Sequence, residues 1–168
     1  GGVSPFISIG QRVIFSNGTI GTLYHEPIDD ISKLKLENMY IDIGAQDKES
    51  AMKNVKIGDA AGFHRALEWA GERAIGKSMD NRAGCAVVVE AIKKVKDTPN
   101  DVYFVFTSQE EVGLRGARTA AYGIVPDVGI AVDVTATGDT PEAKTMAVKL
   151  GGGTAIKVRD ASVICDPL

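Results

Sequence analysis

The first third of the chain carries short apolar runs separated by turn-forming residues. Two of these runs flank Ser-Asn-Gly, a combination typical of a β-hairpin, and a third alternates apolar and polar residues as a half-buried strand does. The predicted strands or turns lie at residues 11–15, 18–24, 39–45 and 57–63. Residues 47–55 suit a short helix with Asp47 as its N-cap. We therefore expect residues 1–64 to form a β-rich domain, a small closed barrel.

Near residue 65 the pattern changes to longer apolar stretches. The pattern predicts helices at 81–97 and 113–123. Almost wholly apolar runs lie at 101–108 and 127–135. The first helix ends in basic residues, and Gly123 closes the second. The apolar runs predict buried strands. Strand, helix and strand in this order predict an α/β portion over residues 65–168, with a mixed sheet and flanking helices.

Acidic residues stand where these predicted elements end or begin. Glu110 and Glu111 follow the first apolar run, Asp133 lies near the end of the second, and Asp80 precedes the first helix. Each could be an ordinary solvated loop residue, and Asp80 could simply cap its helix. Four carboxylates at one edge of a sheet repel one another unless a cation neutralises them, which favours a metal site. Two bridged ions would leave one Glu as a general base.

Composition narrows the classes of partner. The 168 residues are 44% hydrophobic, and 19 basic against 22 acidic residues give a net charge of −3. This balance gives no support for nucleic acid or an anionic membrane as partner. Cys85 and Cys165 lack metal-type spacing and are expected to be buried thiols, not a disulfide. A cytoplasmic location is expected.

Three motifs carry a resemblance to a known family. KSMDNRAGCAVVVEAI, FTSQEEVGLRGA and AVDVTATGDTP, in this order and spacing, resemble the dinuclear metallo-aminopeptidases of the glutamyl and deblocking aminopeptidase family, the tetrahedral peptidases once partly labelled endoglucanases. GGVSPFISIGQRVIF and MYIDIGA resemble the inserted β-barrel domain of that family. The resemblance implies removal of N-terminal residues from peptide substrates. It also implies a homo-oligomer, with a dimer as building block and a dodecamer as the larger assembly.

The resemblance also assigns residues. Asp80 matches the aspartate that bridges the two metals, and the Asp80–Asn81 peptide bond is expected to be cis. Glu110 matches the general base and acid, Glu111 a ligand of one metal, and Asp133 a ligand of the other. The implied cofactors are two divalent metal ions, zinc or cobalt, although such carboxylate-rich sites also accept manganese.

The sequence departs from the family pattern in its histidines. The family takes one metal ligand from a His-x-Asp motif and a second histidine from a later segment, and this sequence has neither. His25 and His64 lie in the insert region and are expected to be structural. We therefore expect an internal portion of a longer enzyme, inactive by itself.

Two alternatives stay open at this point. The chain could be an assembly module without activity. It could also belong to a glycosidase (endoglucanase), since paired carboxylates hydrolyse sugars as well. Glycosidase carboxylates face each other across about 5–9.5 Å of substrate, which adjacent residues seldom span. Trp69 is the one tryptophan, few for a sugar-stacking cleft.

Overall fold

The structure of the protein is a computed structural model that describes residues 3–141, 143, 146–161 and 164–166. The ends of the predicted domains, Gly1–Gly2 and Pro167–Leu168, lie outside the described residues. The chain divides into two compact units, Gly1–Ser78 with Val105–Pro126 (unit 1) and Met79–Phe104 with Asp127–Leu168 (unit 2). The domain boundary between residues 64 and 65 stays a prediction.

The first third contains the strands and the short helix that its apolar pattern predicts, together with elements that were not predicted. In chain order the elements are α1 (Pro5–Ser8), β1 (Arg12–Phe15), β2 (Ile20–His25), 3-10 turns at Ile31–Lys33 and Leu36–Asn38, β3 (Met39–Asp42), α2 (Lys48–Asn54), β4 (Ala61–Phe63), β5 (Glu68–Ala70), β6 (Arg73–Ile75), α3 (Met79–Lys94) and α4 (Arg115–Ile124). Among them α3 alone belongs to unit 2. No helix in the described part of the chain is both long and apolar enough to cross a membrane.

Unit 1 is built on an antiparallel sheet with strand order β3-β2-β1-β4. The predicted hairpin is confirmed: Phe15 N donates to Thr19 O (2.9 Å), and Thr19 N donates to the Asn17 side chain (3.0 Å). Gly18 adopts a φ of 88°, which a residue with a Cβ rarely adopts. The strands expected within 39–45 and 57–63 are confirmed as β3 and β4. Closure of this sheet into a barrel stays a prediction.

The core of unit 1 lies against one face of β1. Val13 and Phe15 alternate along the strand and are 4% and 9% exposed, and Leu34 is 6% exposed. Alternate residues of a strand point to the same face, so these two side chains share one buried surface. The hairpin β5–β6, which turns at Gly71 with a φ of 63°, was not predicted.

Helix α2 begins as predicted. The Asp47 side chain accepts a hydrogen bond from Ser50 N (2.7 Å), and Asp47 N donates to Ser50 Oγ (3.1 Å), which makes a reciprocal capping box. These bonds favour the carboxylate form, so the backbone N–H of Ser50, and then its hydroxyl, hold the pKa of Asp47 below the ordinary value of 3.8.

The two longer helices are confirmed with shifted ends. The α3 segment ends at Lys94, with Lys93 beside it in the last turn, where cations interact well with the helix dipole. Helix α4 passes through Gly123, so the prediction that Gly123 closes it is wrong. Val125 instead takes the left-handed conformation (φ 51°), and its N–H donates to Ala121 O (2.8 Å).

The prediction of buried strands at 101–108 and 127–135 is wrong for this structure. Neither run is a strand among the described residues, and apart from the half-buried Phe104 their apolar side chains are exposed, as at Tyr103 (64%) and Ile130 (85%). A strand forms only where neighbouring backbone groups pair with it, and no described segment pairs with these runs as a strand. The parallel component of the predicted mixed sheet is therefore not present in the part that the structure describes.

Candidate functional site

Glu110 and Glu111 lie on a loop of residues 108–116 in unit 1, which we call the carboxylate loop. It connects the first apolar run to α4, as the sequence suggested. Four backbone hydrogen bonds close it: Gly113 N and Leu114 N to Glu110 O (3.0 Å each), Arg115 N to Gln109 O (3.3 Å), and Gly116 N to Ser108 O (3.0 Å). The loop therefore folds back on itself and holds both exposed glutamates at its tip.

The backbone of the carboxylate loop is unusual at three positions. Gln109 and Leu114 have φ values of 58° and 59°, and Gly113 has a φ of 118°. Side chains with a Cβ rarely occupy this left-handed region, and such residues cluster at functional sites. Gln109 directly precedes Glu110, so the strained residue sets the direction in which the predicted general base leaves the backbone.

A glycine allows the carboxylate loop to approach α4. A Cβ built on Gly116 would lie 2.7 Å from Ser108 N and would also overlap Ser108 O. Both are backbone atoms and cannot rotate away. A residue larger than glycine at position 116 would therefore push the loop from the helix.

Asp80 lies at the start of α3 in unit 2. Its backbone (φ −82°, ψ 109°) and that of Asn81 (φ −116°, ψ 44°) are not helical, so regular helical backbone begins only after them. The Asp80–Asn81 peptide bond is cis, as the resemblance implies. Ser78, two positions before Asp80, has a φ of 56°.

Asp133 lies in the same unit, and one side chain joins its segment to that of Asp80. Asn81 Nδ2 donates to Val132 O (2.9 Å), the carbonyl of the residue before Asp133. Asn81 Oδ1 accepts from Gly84 N (3.0 Å) in the first turn of α3. The structure therefore brings the backbone segments of Asp80 and Asp133 together within unit 2.

The charge of Asp133 also acts on a lysine of unit 2. The ammonium of Lys157 pairs with Asp160 (2.9 Å), and this hydrogen bond and charge, followed by the charge of Asp133, raise the pKa of Lys157 above its ordinary value. Asp133 itself accepts a hydrogen bond from Val134 N (2.8 Å).

Each unit contributes two of the four predicted site residues. Asp80 and Asp133 belong to unit 2, and Glu110 and Glu111 to unit 1. In the described ranges, no group of three or more His, Cys, Asp or Glu side chains is arranged to hold a metal ion. The donor types nevertheless fit the expected ions, because carboxylate oxygens bind divalent zinc, cobalt and manganese.

The two histidines have contacts of their own within unit 1. His25 stacks on Tyr24 and bonds through Nδ1 to Glu26 O (2.7 Å), and His64 N donates to Arg12 O (2.8 Å). The contacts of the His25 ring agree with the structural role predicted for it, and the role of the His64 ring stays a prediction. Cys85 and Cys165 are free, as expected, but exposed, so the prediction that they are buried is wrong.

Sequence reasoning missed three residues that support the predicted site: Asn81, Gly84 and Gly116. The signal for the two glycines was available, because glycine in the first turn of a helix lowers helix stability. A glycine kept there points to a close approach by another group. Nothing in the sequence identified Val132 O as the acceptor for Asn81, because the partner lies 51 positions away.

Comparison with known proteins gives a family and several relatives. The family model of the M42 glutamyl aminopeptidases matches residues 1–168. An Acetivibrio thermocellus protein named "Putative aminopeptidase" is 60% identical over 168 residues, covering 99% of this chain and 51% of that protein. The lysyl aminopeptidase of Pyrococcus furiosus is 32% identical, covering 94% of this chain and 49% of its own.

Three solved structures are also similar to this chain. An aminopeptidase from the archaeon Desulfurococcus kamchatkensis matches with a TM-score of 0.77 at 38% identity, over 86% of this chain and 42% of that one. A Thermotoga maritima structure described as an endoglucanase matches with a TM-score of 0.69 at 33% identity, over 88% and 43%. A structure described as the PhTET1 dodecamer matches with a TM-score of 0.62 at 32% identity, over 73% and 40%. The chain spans about half the length of the curated relatives it matches.

Proposed function

The chain belongs to the M42 glutamyl aminopeptidase family, and from this membership we propose that the whole protein is an aminopeptidase that removes N-terminal residues from peptides. The observation that carries the proposal is the family match over residues 1–168, within which the carboxylate loop presents Glu110 and Glu111. The aminopeptidase names of the relatives support the same activity.

The proposed site holds two divalent metal ions, zinc or cobalt. Asp80 would be a ligand shared by the two ions, Glu111 a ligand of one and Asp133 a ligand of the other. The ions supply Lewis acidity when bound. Glu110 accepts a proton from the water that attacks the scissile carbonyl and returns it to the leaving amine, so that the carboxylate is regenerated after each cycle.

Two features of the structure support these roles. The carboxylate loop is closed by backbone bonds, so the two glutamates project from a fixed backbone. The Asp80 and Asp133 segments are tied within unit 2 by Asn81. Fixed placement of ligands and base is what metal-assisted hydrolysis requires.

Substitution of the glutamates tests the proposal in the whole protein. We expect Glu110→Gln to abolish peptide turnover while metal content stays near wild type, because the amide cannot accept the proton. Glu111→Gln should lose metal as well as turnover. Glu90→Gln, on the exposed surface of α3, is the matched control and should leave both unchanged. Wild-type turnover in Glu110→Gln would contradict the assignment of the base.

We propose further that the 168-residue chain alone is not a competent peptidase. The family pattern requires two histidine ligands that its sequence does not supply. Loss of one of three protein ligands should weaken metal binding by orders of magnitude, since even loss of an outer partner costs about 10–100-fold. Calorimetric titration of the isolated chain with zinc checks this, and tight binding of two ions per chain would contradict it.

The assembly role of residues 1–64 is proposed on separate grounds. We propose that this domain closes into a barrel and docks on another copy of the protein in the cytoplasm. Its support is the antiparallel sheet with β3 and β4 as outer strands, together with the match to a solved structure described as a dodecamer. A chain that stays monomeric by light scattering at high concentration would show that this domain alone does not drive association.

A glycosidase is the second candidate, favoured by the matching structure described as an endoglucanase. Glu110 and Glu111 are adjacent on one loop, a placement poorly suited to flank a sugar bond. Release of reducing sugar from a β-glucan, absent in Glu110→Gln, would establish this activity. We expect none, with turnover only of peptide substrates.

A further inference from the structure

We propose that Asn81 is a positioning residue that sets the placement of Asp80 relative to Asp133. Its amide ties three pieces of unit 2 together: the turn that carries Asp80, the first turn of α3, and the segment that carries Asp133. The inference rests on the proposed function, because it concerns two of the proposed metal ligands.

Both polar atoms of the Asn81 amide form hydrogen bonds. Nδ2 donates to Val132 O at 2.9 Å, and Oδ1 accepts from Gly84 N at 3.0 Å. Each bond reaches a backbone atom, so neither partner can swing away without a shift of the chain. An amide side chain supplies one donor and one acceptor side by side, which carboxylates, hydroxyls and apolar groups of this size do not.

Gly84 makes the room for this amide. It is buried, and a Cβ built on it would lie 2.8 Å from both Cγ and Nδ2 of Asn81 and would overlap Oδ1. Residue 84 must therefore lack a side chain for Asn81 to keep its two bonds. Asn81 and Gly84 therefore act together, and a substitution at either position disrupts the hydrogen bonds of the amide.

Three substitutions separate the contributions of the two hydrogen bonds and of the space at Gly84. Asn81→Asp keeps the shape and the acceptor for Gly84 N but places an oxygen against Val132 O. The added negative charge would by itself strengthen binding of a divalent cation, so weaker binding isolates the lost donor. Asn81→Ala removes both bonds, and Gly84→Ala displaces an amide that is chemically intact.

The experiment measures zinc affinity of the metal-free whole protein by calorimetry, and hydrogen exchange of the Gly84 amide before metal is added. We expect all three variants to bind zinc about 10–100-fold more weakly, the cost typical of losing a group that orients a ligand. The Gly84 amide should exchange faster in Asn81→Ala. Glu90→Ala, which breaks the exposed Glu90–Lys93 pair on the same helix, is the matched control and should match wild type.

The outcomes distinguish this inference from the proposed function. Wild-type protein that binds no divalent metal ion would overturn the proposed function. Wild-type protein that binds zinc, with folded variants that bind it equally well, would overturn the positioning role alone. A purely structural role would lower the thermal midpoint of the metal-free protein without changing the zinc affinity of its folded form. Variants that all lose their far-ultraviolet circular dichroism would likewise assign Asn81 to folding and overturn the proposal.

Discussion

Replacement of Gly116 by alanine should disrupt the carboxylate loop. The new Cβ would meet backbone atoms of Ser108, at 2.7 Å from its nitrogen, so only a backbone shift relieves the overlap. That shift costs about 1–3 kcal/mol as overpacking. It also breaks the bond from Gly116 N to Ser108 O, worth about 1 kcal/mol. Alanine returns up to about 1 kcal/mol through its helix propensity. We expect a net loss of about 1–4 kcal/mol.

The same helix provides the matched control. A Cβ on Gly123 meets nothing within 4 Å, so Gly123→Ala should be neutral or stabilise the protein by about 0.5–1 kcal/mol. Urea unfolding of the whole protein measures both variants. Peptide turnover should fall at least about 100-fold in Gly116→Ala alone, because a displacement near 1 Å at the reacting groups has that effect. Equal stability and turnover in the two variants would refute the close approach of Ser108 to α4.

Two further predictions concern local backbone. Asp47→Ala should loosen the start of α2, whereas Asp47→Asn should preserve it, because asparagine also caps helices. Hydrogen exchange of the Ser50 amide measures the difference. Equal exchange in the two variants would contradict the cap. The pKa of Asp47 is lower in the folded state than its ordinary value of 3.8. The stability that this carboxylate contributes is therefore present above pH 3.8 and is lost as the pH falls through the pKa of the folded state. Gln109→Gly should stabilise the protein by about 0.5–1 kcal/mol, since relief of the left-handed strain exceeds the added entropy of glycine in the unfolded chain. Destabilisation of that variant in urea would show that the Gln109 side chain matters more than its backbone.

Local sequence signals predicted the first third of the chain well. The Ser-Asn-Gly turn, the alternation in β3 and the Asp47 cap all depend on residues within a few positions of one another, and all are confirmed. The hairpin β5–β6 was missed because its strands are three residues long and carry little alternation.

The apolar runs show where local pattern fails. Hydrophobicity predicted strands at 101–108 and 127–135, but a strand also needs partners, and sequence pattern does not identify them. For the candidate site, sequence placed Glu110 and Glu111 on a loop before α4 and Asp80 beside α3, as found. The amide of Asn81 could not be assigned, because its partner is distant in sequence.

We expect the bond between Asn81 and Val132 to form late in folding. Its ends are 51 positions apart, and closing a loop of that length costs about 3.5 kcal/mol of chain entropy, against about 1.2 kcal/mol for a helical turn. A single hydrogen bond returns only about 1 kcal/mol, so this contact forms after helices and hairpins have shortened the path between its ends. Stabilisation gained only after the transition state slows unfolding and leaves the folding rate unchanged. A metal ion that needs Asp80 and Asp133 together would thus extend the lifetime of the folded protein without hastening its formation.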